Sequence, residues 1–449
     1  MGRLFGTDGV RGIANKELTP ELAYKVGRAG AYVLTCETSH RARIVVGKDT
    51  RISGDVLENA LIAGILSVGA EAVRAGVIPT PGIAYLVKNE DFDAGVMISA
   101  SHNPYEHNGI KFFSSAGYKL SDAIEERIEA IILDGAEKPS SPTHDGLGRV
   151  YDDFELCEKY IDYAVKTARV NFDGMKIAID CANGASSVTA EKALKCLGAE
   201  VSVINDKPDG LNINKECGST HTEMICEYVK NGDFDLGLAF DGDADRVLAI
   251  DENGVLVDGD KMMSVIGLDM KKRGVLKNNT IVATVMSNLG FFIMGEENGV
   301  NIKRTKVGDR YVLEEMLKGG FSIGGEQSGH VILLDYNTTG DGLVTGIQLA
   351  CILKETGEKL SKLASVMQIY PQVLINAKVK TENKSRYMED VEISEEIKKI
   401  EDEFSGEGRV LIRPSGTEPL VRVMIEGKDK ALIKERAESL AKLIETKLG

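Results

Sequence analysis

No apolar run in these 449 residues approaches the roughly 20 that a membrane span requires. The segment Met1–Gly6 lacks the hydrophobic core of a secretory signal, and Gly6 stands where an N-myristoylation site needs Ser or Thr. Cysteine is sparse and unpaired in pattern: Cys36, Cys157, Cys181, Cys196, Cys217, Cys226 and Cys351 are scattered, odd in number, and form no C-x-x-C. That argues against a disulfide framework and a zinc site, and predicts reduced, mostly buried thiols in a cytoplasmic chain. A basic surplus is also missing. Lys+Arg number 54 against 69 Asp+Glu, giving a formal charge of −15, so neither nucleic acid nor an anionic membrane is an expected partner. Small anionic substrates stay open, provided the basic residues gather locally.

What is present is an ordinary globular composition, 43% hydrophobic and 27% charged, in a chain too long for one core. Short apolar strands alternate with longer helical patterns, which predicts α/β units with largely parallel sheets. Strands are expected at Ile44–Gly47, Ala94–Ile98, Lys176–Asp180, Leu236–Phe240, Ile281–Val285 and Phe321–Gly324. A helix is expected from Asp55 to Ser67, capped by Ser53 or Asp55. The C-terminal part changes to strand, helix, two strands and helix, the order of a small α+β domain. Turn-rich segments at Gly135–Gly148, Asp251–Asp260 and Tyr370–Gln372 divide the chain into expected domains at 1–150, 151–255, 256–370 and 371–449. The fold class is thus α/β: three α/β domains with mixed, largely parallel sheets, plus a C-terminal α+β domain.

The polar motifs fall directly after apolar strands: Lys48-Asp49-Thr50-Arg51, Ser99–Asn103, Asp241–Arg246 and Glu326–His330. Ligands of open α/β sheets bind beyond the carboxyl ends of strands, so these loops are expected to face a shared cleft. Asp241, Asp243 and Asp245 alternate with Gly and Ala, a spacing that lets three carboxylates converge on a hard cation such as Mg²⁺. An EF-hand would place Glu252 at its twelfth position, but it needs Gly where Arg246 stands and a helix where Leu236–Phe240 reads as a strand.

Ser101, in Met97-Ile98-Ser99-Ala100-Ser101-His102-Asn103-Pro104, would by itself be a turn or cap residue. Beside it are His102 for protons, Asn103 as a donor, and Lys111; Arg11 lies in the glycine-rich Phe5–Gly12. Together with a cation these suit phosphoryl transfer through a serine. Arg413-Pro414-Ser415-Gly416-Thr417-Glu418-Pro419, with Arg422 nearby, has the makings of a phosphate cradle. In Gly324–His330, Glu326 and Ser328 suit sugar hydroxyls, and His330 suits acid–base work.

These four motifs, in this order, resemble those of the α-D-phosphohexomutases, and the resemblance runs from Gly6 to Arg422. Segments Phe5–Gly12, Ser101–Phe113 and Asn214–His221 are most similar to bacterial members acting on glucosamine phosphates. The resemblance implies a deep central cleft among four domains, a phosphorylated Ser101, and Mg²⁺ held by Asp241, Asp243, Asp245 and the Ser101 phosphate. It implies that Ser101 gives its phosphate to glucosamine 6-phosphate, forming a 1,6-bisphosphate that turns over and returns the position-6 phosphate. Glucosamine 1-phosphate would leave, feeding amino-sugar nucleotide and cell-wall precursor synthesis. Glucosamine 1,6-bisphosphate, or another hexose bisphosphate, would be the activator. Arg413, Ser415, Gly416, Thr417 and Arg422 would hold the idle phosphate, and Glu326 and Ser328 the sugar. Lys111, Arg11 and Arg246 would stabilise charge, with His102 or His330 moving protons. A homodimer is compatible with the family. The alternatives are a phosphoglucomutase or phosphomannomutase on the same scaffold, or a metal-dependent sugar phosphatase.

Overall fold

Buried runs of small and β-branched residues set the parallel strands. The computed structural model describes residues 3–6, 8–36, 38–404, 406–415 and 418–449. The chain separates into two units, Met1–Met286 with Val300–Val366, and Ser287–Gly299 with Met367–Gly449.

In the first unit, β1 (Val10–Ile13), β2 (Arg43–Lys48), β3 (Glu71–Val77), β4 (Ala94–Ile98), β5 (His107–Ser114) and β6 (Val150–Asp152) form one sheet in the order β1-β5-β4-β2-β3-β6. A second sheet has the order β11-β10-β9-β7-β8, from β7 (Lys176–Asp180), β8 (Glu200–Ile204), β9 (Leu236–Phe240), β10 (Val247–Ile250) and β11 (Leu256–Val257). The third, β13-β12-β14-β15, uses β12 (Thr280–Thr284), β13 (Asn301–Thr305), β14 (Ile323–Gly325) and β15 (Val331–Leu333). All three sheets are mixed, as expected from the sequence; parallel pairings outnumber antiparallel ones in the first and third and equal them in the second.

The antiparallel pairs have a pattern that strand periodicity did not disclose. Three of the motif-bearing strands are followed at once by an antiparallel partner, β4 by β5, β9 by β10, and β14 by β15, whereas β2, which runs into Lys48–Arg51, leads into a helix. The return strand grips the loop between them from both ends, as Phe240 opposite Val247 and Gly325 opposite Val331 show. A chemical loop held this way is stiffer than one leading into a helix.

Boundaries moved by a few residues. The helix expected at Asp55–Ser67 spans Gly54–Leu66, and Ser53 stands at its N-cap without a side-chain capping bond. β12 and β14 are shifted by one and two residues from the expected strands. β6 hydrogen-bonds into the first sheet and β11 into the second, so the breaks expected at 150 and 255 cut across sheet pairing.

The second unit is a three-stranded antiparallel sheet, β16 (Gln372–Lys378), β17 (Gly408–Pro414) and β18 (Leu420–Gly427), in the order β16-β18-β17. Helices Val391–Phe404 and Lys430–Leu448 cover it through Ile393, Ile400, Ile433, Leu440 and Ile444, all fully buried. This is the α+β arrangement that the element order predicted.

All seven cysteines are free; Cys157, Cys181, Cys217 and Cys351 are buried, whereas Cys36 and Cys196 are exposed. The expectation of burial therefore fails for those two, which lie at helix ends near the surface. No helix among the described residues is long and apolar enough to cross a membrane.

Candidate functional site

Ser101 lies just past the carboxyl end of β4, buried, in the left-handed region at φ +52°. A non-glycine residue there is uncommon and costs energy unless its surroundings hold it. Its backbone N–H donates to Ser99 Oγ at 2.9 Å, and Ser99 Oγ donates to Asp49 Oδ2 at 2.6 Å. The Ser101 hydroxyl donates to Asp241 Oδ2 at 2.6 Å and lies 3.3 Å from His102 Nδ1. Gly242 packs so tightly here that a Cβ would sit 2.6 Å from the Ser101 carbonyl oxygen.

Asp241, Asp243 and Asp245 occupy the loop between β9 and β10. They are buried, and each offers an oxygen within 4.8 Å of the others. No EF-hand is formed: strands flank the loop, and Glu252 instead accepts a hydrogen bond from the Ser361 hydroxyl. Burial pushes the Asp241 carboxyl well above the usual carboxylate range, and the charges of Asp245 and Asp243 push it the same way. Burial acts likewise on Asp245, but His330, Lys111 and Arg246 outweigh it and hold that carboxyl far below the ordinary value. Asp243 Oδ1 and Asp245 Oδ1 are buried with no hydrogen-bond partner. Three convergent carboxylates with orphaned oxygens fit a hard divalent cation.

Cations close the other side. Lys111, on β5, is fully buried with its ammonium 3.0 Å from Asp243, 3.4 Å from Asp8 and 3.8 Å from Asp245. Burial opposes its charge, but those three carboxylates raise its pKa above the ordinary lysine value. The Arg246 backbone N–H donates to Asp241 Oδ1 at 3.1 Å. Arg11 pairs with Asp8. The Nε atoms of Arg11 and Arg246 are buried without a hydrogen-bond partner, that of Arg246 lying 3.8 Å from Asp245 Oδ1. Burial, together with Arg246 and Arg11, lowers the His102 imidazole to about 4.

Several members of this cluster carry no motif. Thr80, at the start of helix Thr80–Asn89, donates its hydroxyl to Asp243 Oδ2 at 2.6 Å and its N–H to the Asp243 carbonyl at 2.9 Å. Lys119 bridges Asp8 at 2.7 Å and Asp309 at 2.5 Å. The only sequence signal for Asp8 was its place in the glycine-rich Phe5–Gly12. Thr80, Lys119 and Asp309 gave none, because only folding brings them together.

The loop Glu326–His330 joins β14 to β15. Its Gly329 N–H donates to the Glu326 carbonyl, and Glu326 Oε1 accepts from the Gly308 N–H at 3.1 Å. Ser328 is exposed. His330 is buried, with Nδ1 3.6 Å from Asp245 Oδ2 and Nε2 3.6 Å from Asp309, and Nε2 accepts the Gly340 N–H at 3.2 Å. Burial lowers its pKa, but Asp245 and Asp309 prevail and raise it. Of the Lys48–Arg51 motif, Lys48 turns away to Asp55 and Glu58; Asp49 and Arg51 lie behind the serine loop.

In the second unit, Arg413 on β17 stands directly opposite Arg422 on β18. Like charges paired across strands repel, an arrangement that an anion relieves. Ser415 Oγ accepts from the Glu418 N–H at 3.1 Å, and Lys384, unmarked in the sequence, donates to the Ser415 and Glu418 carbonyls at 2.7 and 3.1 Å. Gly416 and Thr417 lie outside the described residues.

A serine aimed at an acidic triad, with buried Lys111 and the half-buried Arg11 and Arg246 near it, defines a phosphoryl-transfer class of site. The chain matches the phosphoglucomutase/phosphomannomutase family over its alpha/beta/alpha domain I at residues 2–139, domain II at 158–254, domain III at 258–370 and C-terminal domain at 374–443. It belongs to that family. The phosphoglucosamine mutase of Acetivibrio thermocellus is 62% identical over 449 residues, 100% of both chains. Among solved structures, a phosphoglucomutase/phosphomannomutase family protein of Burkholderia thailandensis superposes with a TM-score of 0.81 at 23% identity, over 99% of this chain and 97% of that one. The Aspergillus fumigatus N-acetylphosphoglucosamine mutase, in complex with GlcNAc-6P and magnesium, does so with 0.69 at 17%, over 99% and 96%. At those identities the structural likeness is one of fold.

Proposed function

We propose that this chain is an isomerase that interconverts glucosamine 6-phosphate and glucosamine 1-phosphate, with Ser101 as its phosphate carrier. The observation that carries the chemistry is Ser101 Oγ held 2.6 Å from Asp241 Oδ2, a member of the buried acidic triad. The choice of amino sugar rests on the full-length 62% identity to a phosphoglucosamine mutase.

In the forward direction the bond between phosphorus and Ser101 Oγ breaks as the sugar O1 bonds to phosphorus. The O1 proton leaves to a base, and a 1,6-bisphosphate results. After reorientation Ser101 Oγ takes the phosphoryl group from O6, O6 regains a proton, and glucosamine 1-phosphate departs. Asp241, Asp243, Asp245 and the Ser101 phosphate would hold Mg²⁺, which when bound neutralises charge on the transferring group. Arg11, Lys111 and Arg246 place positive charge around the same oxygens. His102 is the proton-handling group closest to the serine, at 3.3 Å. His330, engaged on both ring nitrogens, orients Asp245 and keeps it ionised. Glu326 and Ser328 read sugar hydroxyls, and Arg413, Ser415, Gly416, Thr417 and Arg422 grip the idle phosphate. A hexose 1,6-bisphosphate primes the serine. The expected setting is the cytoplasm, supplying amino-sugar nucleotide and cell-wall precursor synthesis.

Ser101→Ala is expected to lower turnover at least about 10³-fold while sugar-phosphate binding, read by calorimetry, stays within a few-fold. Near-normal turnover would refute the carrier role. Glucosamine, glucose and mannose 6-phosphates, each primed with bisphosphate, separate the amino-sugar reading from a neutral-sugar mutase. Steady release of inorganic phosphate would instead mark a phosphatase.

A further inference from the structure

The serine loop contains three backbone carbonyls, at Ser101, Asn103 and Pro104, that the β4–β5 ladder does not use. The Ser101 carbonyl is buried and requires a donor; the other two lie nearer the surface, and that of Pro104 already accepts the His107 N–H at 3.1 Å, yet all three receive donors from one side chain. Arg51, on the turn after β2, donates from Nη2 to the Ser101 carbonyl at 2.9 Å and to the Asn103 carbonyl at 2.8 Å, and from Nη1 to the Pro104 carbonyl at 2.5 Å. Its Nε donates to Asp49 Oδ2 at 2.9 Å, and both side chains are wholly buried. Asp49 Oδ2 also accepts the Ser99 hydroxyl, whose oxygen in turn accepts the Ser101 N–H. From the other side, Asn214 Nδ2 donates to the same Ser101 and Asn103 carbonyls at 2.8 and 3.1 Å.

We infer that Arg51, braced by Asp49 and joined by Asn214, is the positioning device of the phosphate-carrying serine. It holds the loop's carbonyls, and through them sets where Ser101 Oγ points. The inference rests on the reading of Ser101 as phosphate carrier, and Arg51 touches neither the acidic triad nor any group assigned above to substrate. Stability alone is a poor account of the arrangement, because apolar side chains of similar volume would serve a core as well as a buried ion pair. The geometry has a more specific use. Ser101 sits at φ +52°, a conformation its own side chain does not favour. A planar guanidinium can bridge three carbonyls in one plane of donors, which the single ammonium of lysine cannot. Asn214, itself at φ +57° with its N–H on the Ala182 carbonyl, ties the loop to the second sheet that carries the triad. Serine and triad are thereby registered to each other through backbone, independent of the Ser101 side-chain contact.

The test is the single-turnover rate at which a hexose 1,6-bisphosphate phosphorylates Ser101, followed by intact mass, in the full chain with Mg²⁺. Arg51→Lys keeps the charge beside Asp49 and loses the fork. A displacement near 1 Å is worth on the order of 10²-fold, so phosphorylation is expected to slow by about 10- to 100-fold with KM for sugar phosphate within twofold, and Tm falls as well because carbonyls lose their donors. Asn214→Ala should slow the same step, and the double variant should lose less than the product of the two single losses, since both grip the same carbonyls. Should Arg51→Lys fail to fold, Asn214→Ala alone carries the same expectation. Phosphorylation within twofold of wild type, or a loss confined to KM or Tm, overturns the inference. If the wild-type serine takes up no phosphate, the carrier reading falls and this inference with it.

Discussion

Gly242 shows how little room a single residue has in this site. A Cβ at that position would meet the Ser101 carbonyl at 2.6 Å and Asn214 Nδ2 at 2.8 Å, so even alanine must push the serine loop off the triad. Gly242→Ala is expected to fold, with Tm lowered by a few degrees, and to lose at least about 10-fold in kcat. Steady-state kinetics beside a melting curve check this, and unchanged kcat would show that the loop has slack. The candidate site was legible in the sequence at this scale because reactive side chains sit in contiguous motifs. Ser101, Lys111, Asp241, Asp243 and Asp245 could all be read directly. Thr80, Lys119 and Asp309 could not. Each is an ordinary residue in its local window, and its role comes from a partner more than 100 positions away.

Helices and strands bring charges together on a second level. Helix Asp122–Asp134 carries Glu125, and helix Asp309–Gly319 carries Arg310, whose guanidinium lies 3.7 Å from that carboxylate and also pairs with Asp122 and Glu314. Burial lifts the Glu125 carboxyl to about 7; Arg310 opposes the rise, and Asp122 and Glu129 add to it. The unfolded chain gives up this proton near the ordinary glutamate value of about 4.3. Between there and about 7 the folded state holds more protons than the unfolded one, so stability falls as pH rises through that window and this contribution is flat above it. Glu125→Gln should flatten that part of the profile and make the protein more resistant to urea than wild type at pH 8, with little difference at pH 4. A wild-type profile without that decline would place Glu125 in a wetter setting. The antiparallel return after β4, β9 and β14 belongs to this scale too. A short buried strand reads the same whichever direction its neighbour runs, so periodicity located β4, β9 and β14 but was silent on the hairpins that hold their loops.

For the whole molecule, the sequence suggested consecutive domains, whereas packing follows a less linear plan. In the first unit Tyr160 is buried with its hydroxyl on Asp341 Oδ1, the N-cap of helix Gly342–Thr356, while Asn337 reaches the Pro81 carbonyl and Thr338 the Gly117 carbonyl. In the second, the segment Ser287–Gly299 is contributed from far upstream. Asn288 donates to the Tyr370 carbonyl and to Glu426 Oε1, and Arg409, paired with Glu426, donates to the Ser287 carbonyl and lies over the Phe292 ring at 5.1 Å. A fragment of residues 367–449 keeps the Arg409–Glu426 pair but leaves Glu426 and the Tyr370 carbonyl without Asn288. It is expected to be at least about 2 kcal/mol less stable in urea than the same fragment with residues 287–299 fused to it. Equal stability would mean that the upstream helix is an accessory.

The amino-acid sequence by itself determined the fold class and the family, and marked the candidate serine, metal, sugar and phosphate motifs, because hydrophobic period and reactive side chains are local properties. Tertiary structure alone decided which charges meet: Lys111 among three carboxylates, Asp245 between His330 and Lys111, and Arg51 behind the serine. Coulombic and hydrogen-bond energies act through space across distances the chain must fold to close. The same residue pattern therefore leaves those partners unspecified until the sheets are packed.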